Sequence, residues 1–410
     1  MRSAYVILDI TDPESPPTVL AEITFDDLGF TTSYPAVIVM DPKDTMNAND
    51  WYLVLGSGPT DITSAASDQR AKIYIIDLKK LGQNGELKDQ SGNAPTPFVS
   101  LDDHAIVGDL VSVDLDLDYK ADVVYFGTSL KFQSNNYKGR MHRLLIENDT
   151  DTSSWDATSV LFDAQKPITA APTIARDRDE RIWVYFGTGR FLTRDDVNYL
   201  DQQSYFGIKE PLDNSNNRDW SKVLDNGLLD VSDVKVFEGG EVKCDDGAGG
   251  LIDCANITDE NGNLKDDFDD IETIVDEPTT DGWKLNFAGS GERNLGQGTL
   301  LGEILTFTTY TPNSDPCEFE GFSNLYALHY KTGTAFSEPI IGFGDDDLGT
   351  KKEVAKMLSL GKGLTLTPNI HVGREEGSKA FIQTSTGAIE VVQQANPGET
   401  KSGKASWREE

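Results

Sequence analysis

Two kinds of short apolar run alternate along this chain, and the alternation restricts it to a repeating β architecture. The first kind often ends in an acid: Tyr5–Asp9 (YVILD), Ile73–Asp77 (IYIID), Met141–Glu147 (MHRLLIE), Ser204–Ile208 (SYFGI) and Leu325–His329 (LYALH). The second closes on small residues: Trp51–Gly58 (WYLVLGSG), Val123–Thr128 (VVYFGT), Trp183–Gly189 (WVYFGTG) and Ala380–Ser385 (AFIQTS). Their recurrence at very roughly 50–70 residues suits four-stranded sheets repeated around an axis. Between the runs lie turn residues, drawn from 37 Gly, 17 Pro and many Asp, Asn and Ser. Helical periodicity is nearly absent, Lys351 to Ser359 being the clearest short candidate, so a parallel α/β fold is disfavoured. The expected fold is all-β: one quinoprotein-like β-propeller domain with modified blades, spanning residues 1–410.

The stretch from about Asp213 to Asp281 breaks the rhythm and reads as an acidic excursion from a blade. It carries Cys244 and Cys254, two of the three cysteines. A disulfide between them would contribute about 2–3 kcal/mol in an oxidising compartment, but Cys317 can equally pair with either, and connectivity is not deducible from spacing. With no CxxC and four scattered His, a zinc or redox-thiol site is disfavoured; each His reads as a surface or packing residue.

Chemistry concentrates in Asp114-Leu115-Asp116-Leu117-Asp118-Tyr119-Lys120-Ala121-Asp122. Its aspartates fall at positions one, three, five and nine, between the strand-like segments Val111-Ser112-Val113 and Val123-Val124-Tyr125-Phe126. Ca²⁺ takes six to eight oxygens, which alternating acids in a tight turn supply. Asp114, Asp116, Asp118 and Asp122 are therefore expected to give side-chain oxygens and Lys120 its carbonyl. The loop is no EF-hand: Tyr119 holds the sixth position, where glycine is required, and Tyr125 the twelfth, where a bidentate Glu belongs. Asp259, Asn261, Asn263 and Asp267 repeat the spacing without close apolar flanks, and form a weaker second candidate against an Asn-Gly turn.

Net charge excludes one class of partner. With 36 basic and 69 acidic residues the chain carries −33, which repels nucleic acid and anionic lipid. No apolar run reaches the roughly 18 residues of a membrane span, so no membrane insertion by this chain is expected. Met1-Arg2-Ser3 leads straight into a strand-like segment without a signal peptide, so the chain reads as a fragment or a processed form.

Several segments together resemble the C-terminal propeller domain of the PilY family, which is associated with the tip and assembly of bacterial type IV pili. They are YVILDITDP (Tyr5 to Pro13), Asp109 to Thr128, VYFGTGRFL (Val184 to Leu192), QSYFGI (Gln203 to Ile208), and Gly282-Trp283 leading to Gly291-Glu292-Arg293. YTPNSDPC (Tyr310 to Cys317), TSTGAIE (Thr384 to Glu390) and Ser406-Trp407-Arg408-Glu409 continue the series. The resemblance implies a calcium site at Asp114, Asp116, Asp118, Lys120 and Asp122, linked to pilus extension, retraction and twitching motility. It also implies pilins and host or abiotic surfaces as partners, and a location at the pilus tip after passage through the periplasm. Regions that the family carries before this point are missing, which leaves blade count and ring closure open at the N-terminus. The excursion is longer than the resemblance leads one to expect.

Rival classes fare worse. A quinoprotein dehydrogenase repeats an Ala, Asp, Thr-Gly, Trp docking motif, of which one degenerate copy appears at Ala327 to Phe336. Vicinal cysteines are absent. A calcium-dependent glycan or matrix binder would suit the loop acids and aromatics. No GxSxG elbow or other hydrolytic constellation occurs, so the chain is expected not to be an enzyme. Asp345-Asp346-Asp347 reads as a solvated loop tip, and Arg293 as a structural residue paired with a nearby acid.

Overall fold

The computed structural model describes residues 3–40, 50–81, 85–99, 102–133, 136–146, 151–213, 215–259, 261–313, 320–372 and 378–395. Its strands form consecutive, mostly antiparallel sheets that pack as propeller blades. Sheet A pairs Tyr5–Asp9 with Thr18–Ile23. Sheet B runs through Ala36–Met40, Asp50–Gly56, Lys72–Asp77 and Phe98–Val99. Sheet C is built from Ala105–Val113, Val123–Gln133, Met141–Leu145 and Asp156–Phe162, with Asn136–Lys138 at its end. Sheet D takes Thr173–Arg176, Ile182–Gly187, Ser204–Lys209 and Gly282–Asn286, and a parallel outer strand, Leu228–Asp230. Sheet E orders Arg293–Asn294, Ile304–Thr311, Phe322–His329 and Met357–Lys362, and sheet F Asn369–Val372, Ser378–Gln383 and Ile389–Gln394. No helix among the described residues is long and apolar enough to cross a membrane.

The runs that end in small residues are the second strands of their blades, and burial on both faces makes them continuously apolar. Alternate side chains of a strand point to opposite sides. Val124 and Phe126 accordingly join a core shared with sheet B (Ile38, Val54, Ile73, Ile75). Val123 and Tyr125 face sheet D (Val184, Phe186, Phe206, Ile208). Trp183 and Tyr185 turn the other way, onto Trp283, Phe307 and Tyr326. Each such side chain contributes about 1.5–3 kcal/mol through burial.

The small residues that follow join one blade to the next. A Cβ on Gly56 would lie 2.5 Å from Val107, on Gly127 2.3 Å from Ile168, and on Gly187 2.4 Å from Asn294. The next residue in each run, Ser57, Thr128 or Thr188, donates its N–H to the third strand of its own blade or, for Thr128, to Arg140 just before it. Its carbonyl accepts an N–H from the following blade, from Val107 (2.9 Å), Ile168 (3.0 Å) and Asn294 (3.0 Å) respectively.

Buried charges reinforce these seams. Arg143 holds Glu210 through Nε (3.0 Å) and Nη2 (2.6 Å), and Tyr125 donates to the same carboxylate. Asp102 receives Thr128, Arg140 and His142. Burial opposes its ionisation, but those three partners, His142 foremost, hold the carboxyl down at about 2. Arg190 reaches the carbonyls of Ser64 and Ala65 (2.9 Å to the latter) while pairing with Asp196 at 2.9 Å. Arg293 does not donate to an acid as the sequence suggests. Its guanidinium donates to the carbonyls of Gly291, Arg190, Asp196 and Tyr199, because the chain there turns four main-chain acceptors toward it.

The short helix expected at Lys351 to Ser359 is corrected. Lys351–Val354 and Met357–Lys362 are strands, paired with Phe343–Leu348 and with Phe322–His329. The α-helix of the described residues is Phe268–Asp276 instead. Asp267 caps it by accepting the Asp269 N–H, and Phe268, Ile271, Ile274 and Val275 form its buried face. Lys209, whose amine burial pushes down to about 8, donates to the terminal carbonyls of Val275 (2.7 Å) and Glu277 (3.2 Å). Helix and three-stranded sheet (Val234–Val236, Val242–Asp245, Leu251–Ile252) both fall in the sequence between Ser204–Lys209 and Gly282–Asn286, strands that pair directly with each other. Cys244 and Cys254 form a disulfide there, and Cys317 lies outside the described residues. His329 is a neutral packing residue, its pKa driven to about 3 by burial among Phe268, Tyr330 and Phe336.

The seam makes a direct prediction. Gly127→Ala places a methyl against Ile168 and its carbonyl, and should cost about 1–3 kcal/mol in urea unfolding. Gly92→Ala, where nothing lies within 4 Å of the new Cβ, tests the strain of a positive φ (+82°) without a clash and should cost about 1 kcal/mol.

Candidate metal centre

The aspartate loop is the hairpin tip between Ala105–Val113 and Val123–Gln133 in sheet C. Its base is fixed: Val113 pairs with Val123, the Asp122 N–H donates to Val113 O (2.9 Å), and the Ile146 N–H to Asp122 O (2.9 Å). The Ala121 N–H crosses to Val39 of sheet B at 3.1 Å. Leu115 points inward at 4% exposure and joins the core between sheets C and D.

Above that base the chain wraps around its own carboxylates. Asp114 accepts the N–H groups of Leu117 (2.6 Å), Asp118 (3.2 Å) and Tyr119 (2.7 Å). Asp122 accepts that of Leu115 at 2.6 Å. Leu117 (φ 64°) and Tyr119 (φ 72°) adopt the left-handed conformation, which costs non-glycine residues about 1–2 kcal/mol. Tyr119 thus takes, at the sixth position, a backbone that glycine adopts without strain. Both side chains are turned to solvent, Leu117 70% and Tyr119 85% exposed.

Of the four expected aspartate ligands, the fold gathers three. Asp114, Asp116 and Asp122 each offer a carboxylate oxygen within 4.8 Å of the others. Ligand oxygens about 2.3–2.6 Å from one Ca²⁺ lie up to roughly 5 Å apart, so this spacing accommodates the ion, and three carboxylates present up to six oxygens to it. Asp118 turns instead to Lys120, whose Nζ it binds at 2.9 Å. That hydrogen bond and charge hold the Asp118 carboxyl below its usual range. Lys120, read from the sequence as a carbonyl donor, contributes its ammonium to this pair.

Asp122 is the electrostatic centre of the cluster. Burial to 1% exposure pushes its pKa up, and the negative charges of Asp116 and Asp114 add to the rise, while its Leu115 hydrogen bond and Arg218 offset part of it. Among the described residues no lysine or arginine forms an ion pair with Asp122 or Asp114. Arg218 gave no signal in the sequence, because it comes from the excursion, 96 positions after Asp122.

The second candidate is arranged differently. Asp259 closes its own turn, accepting the N–H groups of Asn261 (3.0 Å) and Asn263 (2.9 Å) and the Asn263 amide. Gly262 supplies the positive φ of that Asn-Gly turn, and Asp267 is committed to the helix cap.

No described protein-family model matches the chain. Among curated proteins it is 24% identical over 442 residues to the type IV pilus biogenesis factor PilY1 of Pseudomonas aeruginosa (strain UCBPP-PA14), the match covering 98% of this chain and 35% of that protein. A PilY1 homologue of Xylella fastidiosa (strain Temecula1) is 23% identical over 415 residues, covering 98% and 28%. The chain thus spans about a third of the length of these relatives. The crystal structure of the P. aeruginosa PilY1 C-terminal domain superposes with a TM-score of 0.60 at 18% identity, over 97% of this chain and 79% of that one. The resemblance to the PilY family read from the motifs is borne out over nearly the whole chain, and so is the β-propeller fold.

A charge test follows. Asp122 holds its proton more tightly folded than unfolded, so its contribution to stability is present at low pH and lost as pH rises through its raised pKa. In calcium-free buffer Asp122→Asn should therefore not lower the neutral-pH unfolding midpoint, while an ionised Asp122 remains a cost to the parent protein. A large loss of stability would show that the carboxylate is needed without any cation.

Proposed function

We propose that this chain is the calcium-binding propeller of a type IV pilus biogenesis factor, acting without catalysis in pilus extension and retraction, twitching motility and surface adhesion. The proposal treats residues 1–410 as one propeller domain carrying the segment from about Asp213 to Asp281 as an excursion. The observation that carries it is the meeting of Asp114, Asp116 and Asp122 at a hairpin tip that also presents Leu117 and Tyr119 to solvent. Similarity to PilY1 proteins across 98% of the chain supports the pilus assignment.

The mechanism is conditional rigidity. The cation neutralises carboxylates that otherwise repel one another, with Asp122 relieved most because it is buried. A calcium-loaded tip holds Leu117 and Tyr119 in one arrangement, and that arrangement favours one state of contact with pilins or with a host or abiotic surface. The disulfide and the charge of −33 suit an extracellular location reached through the periplasm.

Calorimetric titration of the chain should give one calcium site with a Kd on the order of 0.1–1 mM, in the range of extracellular modules. Asp116→Ala should weaken it at least ~10-fold, about 1.4 kcal/mol, with an unchanged circular dichroism spectrum. Calcium binds the ionised form of Asp122, so affinity should fall as pH is lowered through its raised pKa. Equal calcium uptake by parent and variant would remove the site.

For the biological role, the same substitution placed in the full-length protein should abolish the calcium dependence of surface piliation and of the twitching zone. Wild-type calcium responses in that strain would separate the ion from pilus function, and quinone bound to the purified protein would overturn the non-enzymatic reading.

A further inference from the structure

On another part of the molecule, sheets B to F together line a cavity of about 440 Å³, within the roughly 300–1,000 Å³ typical of small-ligand pockets. Tyr34 comes from the approach to sheet B, Asp109 from sheet C, Ala171 from the approach to sheet D, Gln297 and Thr299 from sheet E, and Asn369 from sheet F. Its walls are fixed before any ligand arrives. The Tyr34 N–H donates to Asp109 Oδ1 (2.8 Å), and the Asp109 N–H to Thr169 O (3.0 Å). Gln297 Nε2 donates to Pro172 O (2.8 Å), Thr173 Oγ1 to Gly298 O (2.6 Å), and Thr367 Oγ1 to Gln297 O. Each of these bonds joins one sheet, or the segment entering it, to a neighbour, so the cavity is preorganised and a ligand bears little ordering cost.

The lining chemistry narrows the ligand. Among the described residues no lysine or arginine lines the cavity, and the chain carries −33, which disfavours an anion. Asp109 is the one carboxylate that the described residues place in the lining, and a lone acid is a thin cage for a cation. Burial raises its pKa, with a single offsetting hydrogen bond from the Tyr34 N–H, so hydroxyl donors to its other oxygen would supply solvation that the fold withholds. Thr299 and the Asn369 amide add neutral donors and acceptors. Tyr34, 77% exposed, and Leu366, 69% exposed, add apolar surface. An aromatic face, negative at its centre, attracts the slightly positive C–H face of a sugar ring.

We propose that this cavity binds a neutral polyhydroxylated ligand, the terminal one or two units of a glycan chain. The site is separate from the aspartate hairpin, and its test does not depend on calcium or on pili.

Saturation-transfer NMR on the purified chain, with the methyl pyranosides of glucose, galactose, mannose and N-acetylglucosamine as probes, should show millimolar binding of at least one. Tyr34→Ala, at an exposed position, and Asp109→Asn, which keeps an acceptor for the Tyr34 N–H, should each weaken that binding at least 10-fold with the thermal unfolding midpoint unchanged. Tyr34→Phe should restore it, because the ring face is what the ligand meets. Saturation transfer from none of the four sugars, or equal binding by parent and both variants, would overturn the proposal. Tighter binding of N-acetyl-lysine amide than of any glycoside would replace the neutral ligand class by a cationic one.

Discussion

The structure depends on an approach between blades too close for a side chain. At Gly56, Gly127 and Gly187 the second strand of one blade comes so near the entry of the next that a Cβ would sit 2.3–2.5 Å from its neighbour. That proximity lets the following Ser57, Thr128 or Thr188 bond two blades at once, with its N–H inside its own sheet and its carbonyl across the seam. The large apolar residues just before the glycine then fall on alternate sides, filling the spaces between blades. Thr128 also shows how polar groups enter such a seam safely. Its hydroxyl donates to Asp102, which His142 and Arg140 satisfy as well, so the buried acid leaves no charge unpaired.

This arrangement explains which parts of the fold were legible. VVYFGT and WVYFGTG state strand, two-sided burial and seam in consecutive letters, so the repeating β plan can be read from them. What each seam meets is written elsewhere in the chain, at Val107, Ile168 and Asn294, in segments with no shared motif. Arg293 illustrates the same limit. A guanidinium in an acidic chain suggests a carboxylate, yet its position among four carbonyls depends on the turn from Arg190 to Tyr199, which only the assembled fold defines. The helix Phe268–Asp276 was hidden for a different reason. Its cap, Asp267, is also a member of the second calcium candidate, and only the buried spacing of Phe268, Ile271 and Val275 separates the two meanings.

At the aspartate loop the sequence declares composition more fully than geometry. Alternation puts four acids in nine residues, but a loop can point only some of them at one place. Asp118 is diverted because Lys120, two residues on, reaches it at 2.9 Å. Asp122, the buried acid of the cluster, looks in the sequence like any other member. Its distinction comes from standing where the loop rejoins the strand, with its main chain bonded to Val113 and Ile146 on either side.

That position also limits what an ion at the tip can change. The hairpin base is tied by main-chain bonds to its own sheet and, through the Ala121 N–H and Val39 O, to sheet B, while Leu115 is packed in the core between sheets C and D. The main-chain bonds of the base contain no carboxylate, so neutralising Asp114, Asp116 and Asp122 leaves them intact. The residues that would respond lie above the base, Asp116 to Lys120, and include the solvent-facing Leu117 and Tyr119, both at positive φ. A cation would act on the display of two apolar side chains over a stationary propeller, with no need to rearrange blades. Such a local device suits a rigid repeating fold, in which moving one blade would break seams on both of its sides.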